Sequence, residues 1–172
     1  MLKLIRVFIL STAFLLTACA TTPISGRQAL NLIPESQEIA FGKQAYQKAL
    51  EDQKDSEDAH LNQILRLVGK RIAEVSDMPK LDWEFRLIES KDKNAFALPG
   101  GKVAVYTGML EICKNEAGLA TVLSHEIAHV IARHGAQRMS QQLLLTGAMI
   151  GANISLQSNT QRGIIMSALG LG

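Results

Sequence analysis

His125-Glu126-Ile127-Ala128-His129 is the stretch on which the reading of this chain turns. It lies in Glu116–Gly135, a run without proline in which Val122, Leu123, Ile127, Ala128, Val130 and Ile131 supply the apolar surface of a packed helix. On a helix, side chains four apart share a face, so both imidazoles can point at one ion. Glu126, beside the first histidine, then reaches a water bound to that ion. Two neutral nitrogen ligands, a carboxylate base and an open coordination position are the parts of a zinc hydrolase. The competing account is chance, since five residues make a short pattern.

Zinc needs a third protein ligand. A second spacing class would place Gly three and His six residues after His129, but Ala132 and Gly135 stand there. His134 follows His129 by five residues. At roughly 100° per residue it falls about 140° away on a continuing helix, so it is expected to face elsewhere. No Asp, Glu or Cys occurs between Ile127 and Gly172, so nothing downstream in this sequence closes the shell. Upstream, Glu111, Cys113 and Glu116 are the remaining candidates.

The N-terminus reads as an export signal over residues 1–18. Lys3 and Arg6 form a positive start, Val7–Leu16 is apolar, and Leu16-Thr17-Ala18-Cys19 has the form of a bacterial lipobox in which Cys19 is lipidated. An ordinary signal with an incidental cysteine is the alternative. Ala20 in the next position hints at the outer membrane, facing the periplasm. With Cys19 lipidated, Cys113 is the only other thiol, so no intramolecular disulfide forms, and Cys113 reads as a small buried residue. The full sequence carries a formal charge of +2, and loss of Lys3 and Arg6 leaves it near neutral. With no basic cluster and few aromatics, nucleic acid is not an expected partner.

Residues 19–34 read as a tether, and 35–172 as one domain. Helices are expected over Glu35–Gln53, with Ile39, Ala40, Ala45, Tyr46 and Leu50 on one stripe, and over Ala59–Val75, with Leu61, Ile64, Leu65, Val68 and Ile72 inward. His60 reads as solvated. Trp83–Ile88 alternates like a strand. Asn94–Leu98 and Lys102–Thr107 form two more around Pro99-Gly100-Gly101. Met109–Cys113 is a short helix, and Asn115 caps the motif helix. Leu143–Leu156 and Gly163–Gly172 are apolar and rich in small residues, yet too short to span a membrane. They are expected to pack on the motif helix, with contact at a lipid surface as the alternative.

Asn94-Ala-Phe-Ala-Leu-Pro-Gly-Gly101, Val105-Tyr-Thr-Gly-Met-Leu110, Leu123-Ser-His-Glu-Ile-Ala-His-Val130 and Arg133-His-Gly135 together resemble peptidase family M48. The likeness is to its periplasmic lipoprotein branch and extends over essentially all of residues 20–172. The resemblance implies an α+β, mostly helical, zincin-like domain of the gluzincin type, with a small β-sheet beside the motif helix. It implies one zinc ion per chain on His125 and His129, with Glu126 as catalytic base. Asn94–Val105 would be the edge strand and turn beside the cleft. The third ligand would be a glutamate on a helix following a segment like Ser167–Gly172, so the sequence is expected to be an N-terminal fragment or a truncated product.

The expected activity is zinc-dependent hydrolysis of peptide bonds in misfolded or misassembled cell-envelope proteins. Substrate backbone would pair along Lys102–Tyr106, which makes Asn94, Gly100, Gly101, Val103 and Val105 the substrate-binding candidates. The two glycines would serve turn geometry first. The alternative is a catalytically incomplete envelope lipoprotein that binds unfolded proteins or outer-membrane assembly machinery without cutting. A peripheral membrane scaffold through Leu143–Gly172 is a third reading.

Overall fold

Two asparagine and aspartate caps set the helical frame. Asp58 Oδ1 accepts from Leu61 N at 2.9 Å, and Asn115 Oδ1 accepts from Gly118 N at 2.9 Å. Each satisfies a backbone donor that an uncapped helix would leave bare. The computed structural model describes residues 19–21 and 28–151, with side chains over 31–145. The leader 1–18 and the Gly163–Gly172 run lie outside the described residues, as do 22–27 of the tether and the end of Leu143–Leu156.

In chain order the elements are β1 (Cys19–Thr21), β2 (Gln28–Leu30), α1 (Glu35–Leu50), α2 (Ala59–Glu74), β3 (Glu84–Ile88), β4 (Ala95–Leu98) and β5 (Lys102–Tyr106). Three helices follow: α3 (Thr107–Cys113), α4 (Glu116–Ile131) and α5 (His134–Gly151). The α+β class, largely helical with a small sheet, is as the sequence suggests. β1 and β2 pair antiparallel, Ala20 opposite Ala29, inside a stretch that reads as an irregular tether. Leu32 N then donates to the buried Ser140 Oγ at 2.8 Å, and Ile33 is buried. The packed body therefore begins before Glu35.

The main sheet has the order β3-β5-β4. β5 is central, parallel to β3 with Arg86 opposite Ala104 and antiparallel to β4 with Ala97 opposite Val103. Side chains alternate across it. Val103 and Val105 enter an apolar layer with Leu65, Val68, Phe85, Leu87, Leu119, Leu123, Ile127 and Ile131. Ala104 enters the opposite layer with Tyr46, Leu50, Ile88, Leu98 and Met139. The sheet is thus covered by α2 and α4 on one face and by α1 and α5 on the other. Each fully buried aliphatic such as Leu123 contributes about 1.5–3 kcal/mol.

Two expectations change here. α1 buries Glu38, Gly42, Ala45, Tyr46 and Leu50, and Ala40 is exposed. The inward stripe is therefore rotated from the one read through Ile39 and Ala40, because Glu38 has a charged partner inside. The motif helix also stops early, at Ile131. Arg133 takes a left-handed backbone, φ 54°, and α5 starts at His134. No helix among the described residues is long and apolar enough to cross a membrane.

Candidate functional site

α4 buries Leu119, Leu123, Ile127, Val130 and Ile131 against the sheet and α2, which turns its opposite face outward. His125 and His129 stand on that outer face one turn apart. Their Nε2 atoms are 3.0 Å from one another, with the rings crossing at 82°. Two ligands each about 2.0–2.1 Å from one zinc ion sit at roughly this separation, so the pair fits a single ion.

His134 is also present. Because the helix breaks at Ala132–Arg133, the imidazole expected to face elsewhere swings back, and its Nδ1 lies 2.6 Å from His129 Nδ1. It meets the nitrogen of His129 that faces away from His125, so it is not a third ligand to the same ion. Among the described residues no cluster of three or more His, Cys, Asp or Glu could hold a metal. Cys113 is buried in the core, and with Glu116 it lines a different cavity beside Leu61 and Leu119, away from the histidines. Cys113 and Glu116 do not complete the shell.

A cleft of about 170 Å³ lies between α4, α5 and β4. Ala95–Pro99 form one wall, Glu126, His129 and Val130 the floor, and His134 and Arg138 the far side. Burial raises the Glu126 carboxyl above its ordinary value, against the pull of His125 and of the Ala97 N–H that faces it. Burial lowers His129, helped by the charges of His134, His125 and Arg138. It lowers His134 likewise, with Arg138 adding to the effect. Both shifts favour the neutral imidazole, the form in which a histidine nitrogen has a lone pair to give.

The expected substrate strand is corrected. Val103 and Val105 are fully buried, and β5 is paired on both sides, so Lys102–Tyr106 has no free backbone edge. The edge strand beside the cleft is β4. Tyr106 N donates to Asn94 O at 3.0 Å, which makes Asn94 opposite Tyr106 a hydrogen-bonded position. Antiparallel pairing alternates, so Phe96 and Leu98 also bond to β5, while Ala95 and Ala97 turn their N–H and C=O outward into the cleft. Asn94 is exposed before the cleft wall begins. Gly100 and Gly101 are buried in the turn at φ 87° and 79°, where their role is backbone geometry.

Glu38 was not singled out from the sequence and Arg133 was given no role there, yet they shape the cleft. Arg133 Nε donates to Glu38 Oε2 at 2.7 Å, and Ala136 N donates to Glu38 Oε1 at 3.3 Å. Glu38 thus caps the first turn of α5 from another helix. The usable signal was a glutamate at the i position of the i, i+4, i+7, i+8 row that continues through Gly42, Ala45 and Tyr46.

Comparison with known proteins agrees with this geometry. The pattern described as Peptidase family M48 matches residues 59–171. The chain is 36% identical over 152 residues to the mitochondrial metalloendopeptidase OMA1 of Schizosaccharomyces pombe, covering 87% of this chain and 45% of that protein. It is 34% identical to the putative beta-barrel assembly-enhancing protease of Vibrio cholerae, over 76% of this chain and 27% of that one. The beta-barrel assembly-enhancing protease of Escherichia coli K12 is 31% identical, over 71% and 25% respectively. The chain spans less than half the length of these relatives.

Proposed function

The chain belongs to peptidase family M48, and from that premise we propose that it forms the zinc-binding core of a metalloendopeptidase that cuts extended segments of misfolded or misassembled cell-envelope proteins. The observation that carries this is the pair of adjoining imidazoles, His125 and His129, on the helix turn that also brings Glu126 into the cleft against the outward N–H of Ala97.

In this reading His125 and His129 hold one zinc ion, and a third ligand comes from outside the described residues. Bound there, zinc would make water acidic enough to deprotonate near neutral pH and would polarise the scissile carbonyl. Glu126 takes the proton from the attacking water and returns it to the leaving nitrogen. Its burial suits that task, because a carboxylate lifted from its ordinary range is a stronger base. Ala95, through its N–H and C=O, and Ala97, through its C=O, offer the groups that align an extended substrate, giving register with little demand on side chains. Such a mode suits unfolded segments.

The export signal and Cys19 motif support a lipid-anchored protein of the outer membrane, facing the periplasm. The names of the Vibrio and Escherichia relatives fit an envelope role. A second reading, binding without cutting, is favoured by one observation: no third metal donor stands beside the histidines among the described residues.

The test uses the full natural product, with casein as unfolded substrate. Glu126→Gln is expected to keep stoichiometric zinc and to lose cleavage by at least a hundredfold, in line with loss of a general base. Cleavage unchanged in that variant removes Glu126 from the mechanism. Zinc retention with no cleavage by the wild type supports the binding reading.

A further inference from the structure

His129 is contacted through both ring nitrogens, and the two contacts constrain each other. A neutral imidazole carries one proton, so of Nδ1 and Nε2 one donates and the other accepts. Nε2 faces His125 Nε2 at 3.0 Å, and Nδ1 faces His134 Nδ1 at 2.6 Å. If His129 binds a metal through Nε2, that nitrogen has no hydrogen and Nδ1 must carry the proton. A half-buried N–H then needs an acceptor. In most metal-binding histidines this is a carboxylate or a backbone carbonyl. Among the described residues the partner of His129 Nδ1 is another imidazole.

We propose that His134 is a positioning residue whose Nδ1 accepts the proton of His129 Nδ1, fixing the tautomer and ring orientation in which His129 Nε2 is open towards His125. The inference rests on the zinc reading above and adds to it the group that sets up one ligand. His134 reaches this place only because the chain turns sharply between α4 and α5. Four contacts hold that turn. Arg133 is bonded to Glu38 and, through Nη2, to Ile33 O at 3.2 Å. Ala136 N is held by Glu38, and Gln137 Nε2 donates to Ala132 O at 2.7 Å. The first residue of α5 is thereby locked beside the last turn of α4, and its ring stands 4.7 Å from that of His129, centroid to centroid. A loose surface histidine would have no such anchorage.

The experiment compares His134→Phe, which keeps a ring but has no acceptor, with His134→Asn, which places an amide oxygen near the lost Nδ1. Two quantities are read in the intact chain: zinc affinity by competition with a chromophoric chelator, and the His129 tautomer by long-range ¹H–¹⁵N correlation on metal-free protein at pH 8. The wild type is expected to show His129 protonated at Nδ1. The Phe variant should bind zinc about 10–100-fold more weakly, the usual effect of removing such a partner, and should lose the Nδ1 proton preference. The Asn variant should recover most of both. If the Phe variant keeps wild-type affinity and tautomer while His125→Ala loses zinc, the role of His134 is overturned and the zinc reading stands. If Phe and Asn lose affinity equally with the tautomer unchanged, His134 is merely structural and the proposal fails. If the wild type binds zinc no better than His125→Ala, the zinc reading fails and this proposal fails with it.

Discussion

Arg133 donates from Nε to Glu38 Oε2 at 2.7 Å while its own backbone sits at φ 54°, so a residue held in a left-handed turn is also pinned to a distant helix. A left-handed conformation costs a residue with a Cβ roughly 1–2 kcal/mol, and here the ion pair holds it in place. The corner separates α4, which carries the metal-site histidines, from α5, which carries His134.

Removing the Arg133 side chain should therefore act in two separable ways. Arg133→Ala leaves Glu38, only 3% exposed, with a buried charge and no cation, a loss of about 3–5 kcal/mol. Arg133→Gly loses the same pair but relieves the backbone, and should unfold at a higher urea concentration than the alanine variant by an amount worth about 1 kcal/mol. Equal midpoints for the two would show that φ 54° is not strained here.

Glu38 itself gives a pH signature. Burial is the largest influence on its carboxyl and raises it above the ordinary 4.5. Arg133 and the Ala136 N–H pull the other way without cancelling it, and Glu35 adds to the lift. The folded state then holds that proton more tightly than the unfolded chain does. Its contribution to stability is full below the unfolded value and is lost as pH rises through the folded one. Glu38→Gln does not titrate. The wild-type advantage over this variant in urea unfolding should thus be larger at pH 4 than at pH 7. An advantage that grows with pH would mean that the Arg133 charge outweighs desolvation.

Much of this was legible in the sequence, for identifiable reasons. The cap at Asn115 acts within three residues, and the strands around Gly100-Gly101 are marked by a turn that needs positive φ. The motif helix and the facing of His125 and His129 follow from a spacing of four. What could not be read were contacts between distant segments. Nothing local marks Arg133 as left-handed, since the stop signal there is not a glycine; its cause is Glu38, far back in the chain. The misplacement of His134 followed from assuming that the helix continued. Strand order is equally non-local: Lys102–Tyr106 has the more apolar, alternating look of a substrate strand, but the parallel partner β3 takes its second edge. That left β4 as the edge beside the cleft.

Gly42 connects α1 to the cleft wall. A Cβ there would come within 2.2 Å of Pro99 O and 2.8 Å of Pro99 C, and a backbone obstacle cannot rotate away. Pro99 ends the cleft wall that begins at Ala95. Gly42→Ala should push helix and turn apart at a cost of about 1–3 kcal/mol, less the small gain in helix propensity. It should also lower proteolysis of casein more than it lowers zinc content, because the displaced element is the wall and not the histidine pair. A variant as stable as the wild type would show that the α1–turn contact yields freely.

The open edge of β4 makes the most direct claim about substrate. Ala95 turns its N–H away from β5, so proline at this position removes no bond of the sheet, and an edge strand tolerates it. Ala95→Pro leaves Asn94 O free to keep its bond from Tyr106 N, and Glu126, His125 and His129 are untouched. The unfolding midpoint should move little. Loss of one hydrogen bond worth about 0.5–1.5 kcal/mol should raise KM for an extended peptide roughly 2–10-fold, with kcat nearly constant. N-methylation of the substrate residue that donates to the Ala95 carbonyl removes the other bond of the same pair, so it should have a similar effect on KM and add to that of the variant. If Ala95→Pro folds normally and KM is unchanged while an N-methylated peptide is still cut more slowly, the substrate lies elsewhere in the cleft and β4 is only its wall.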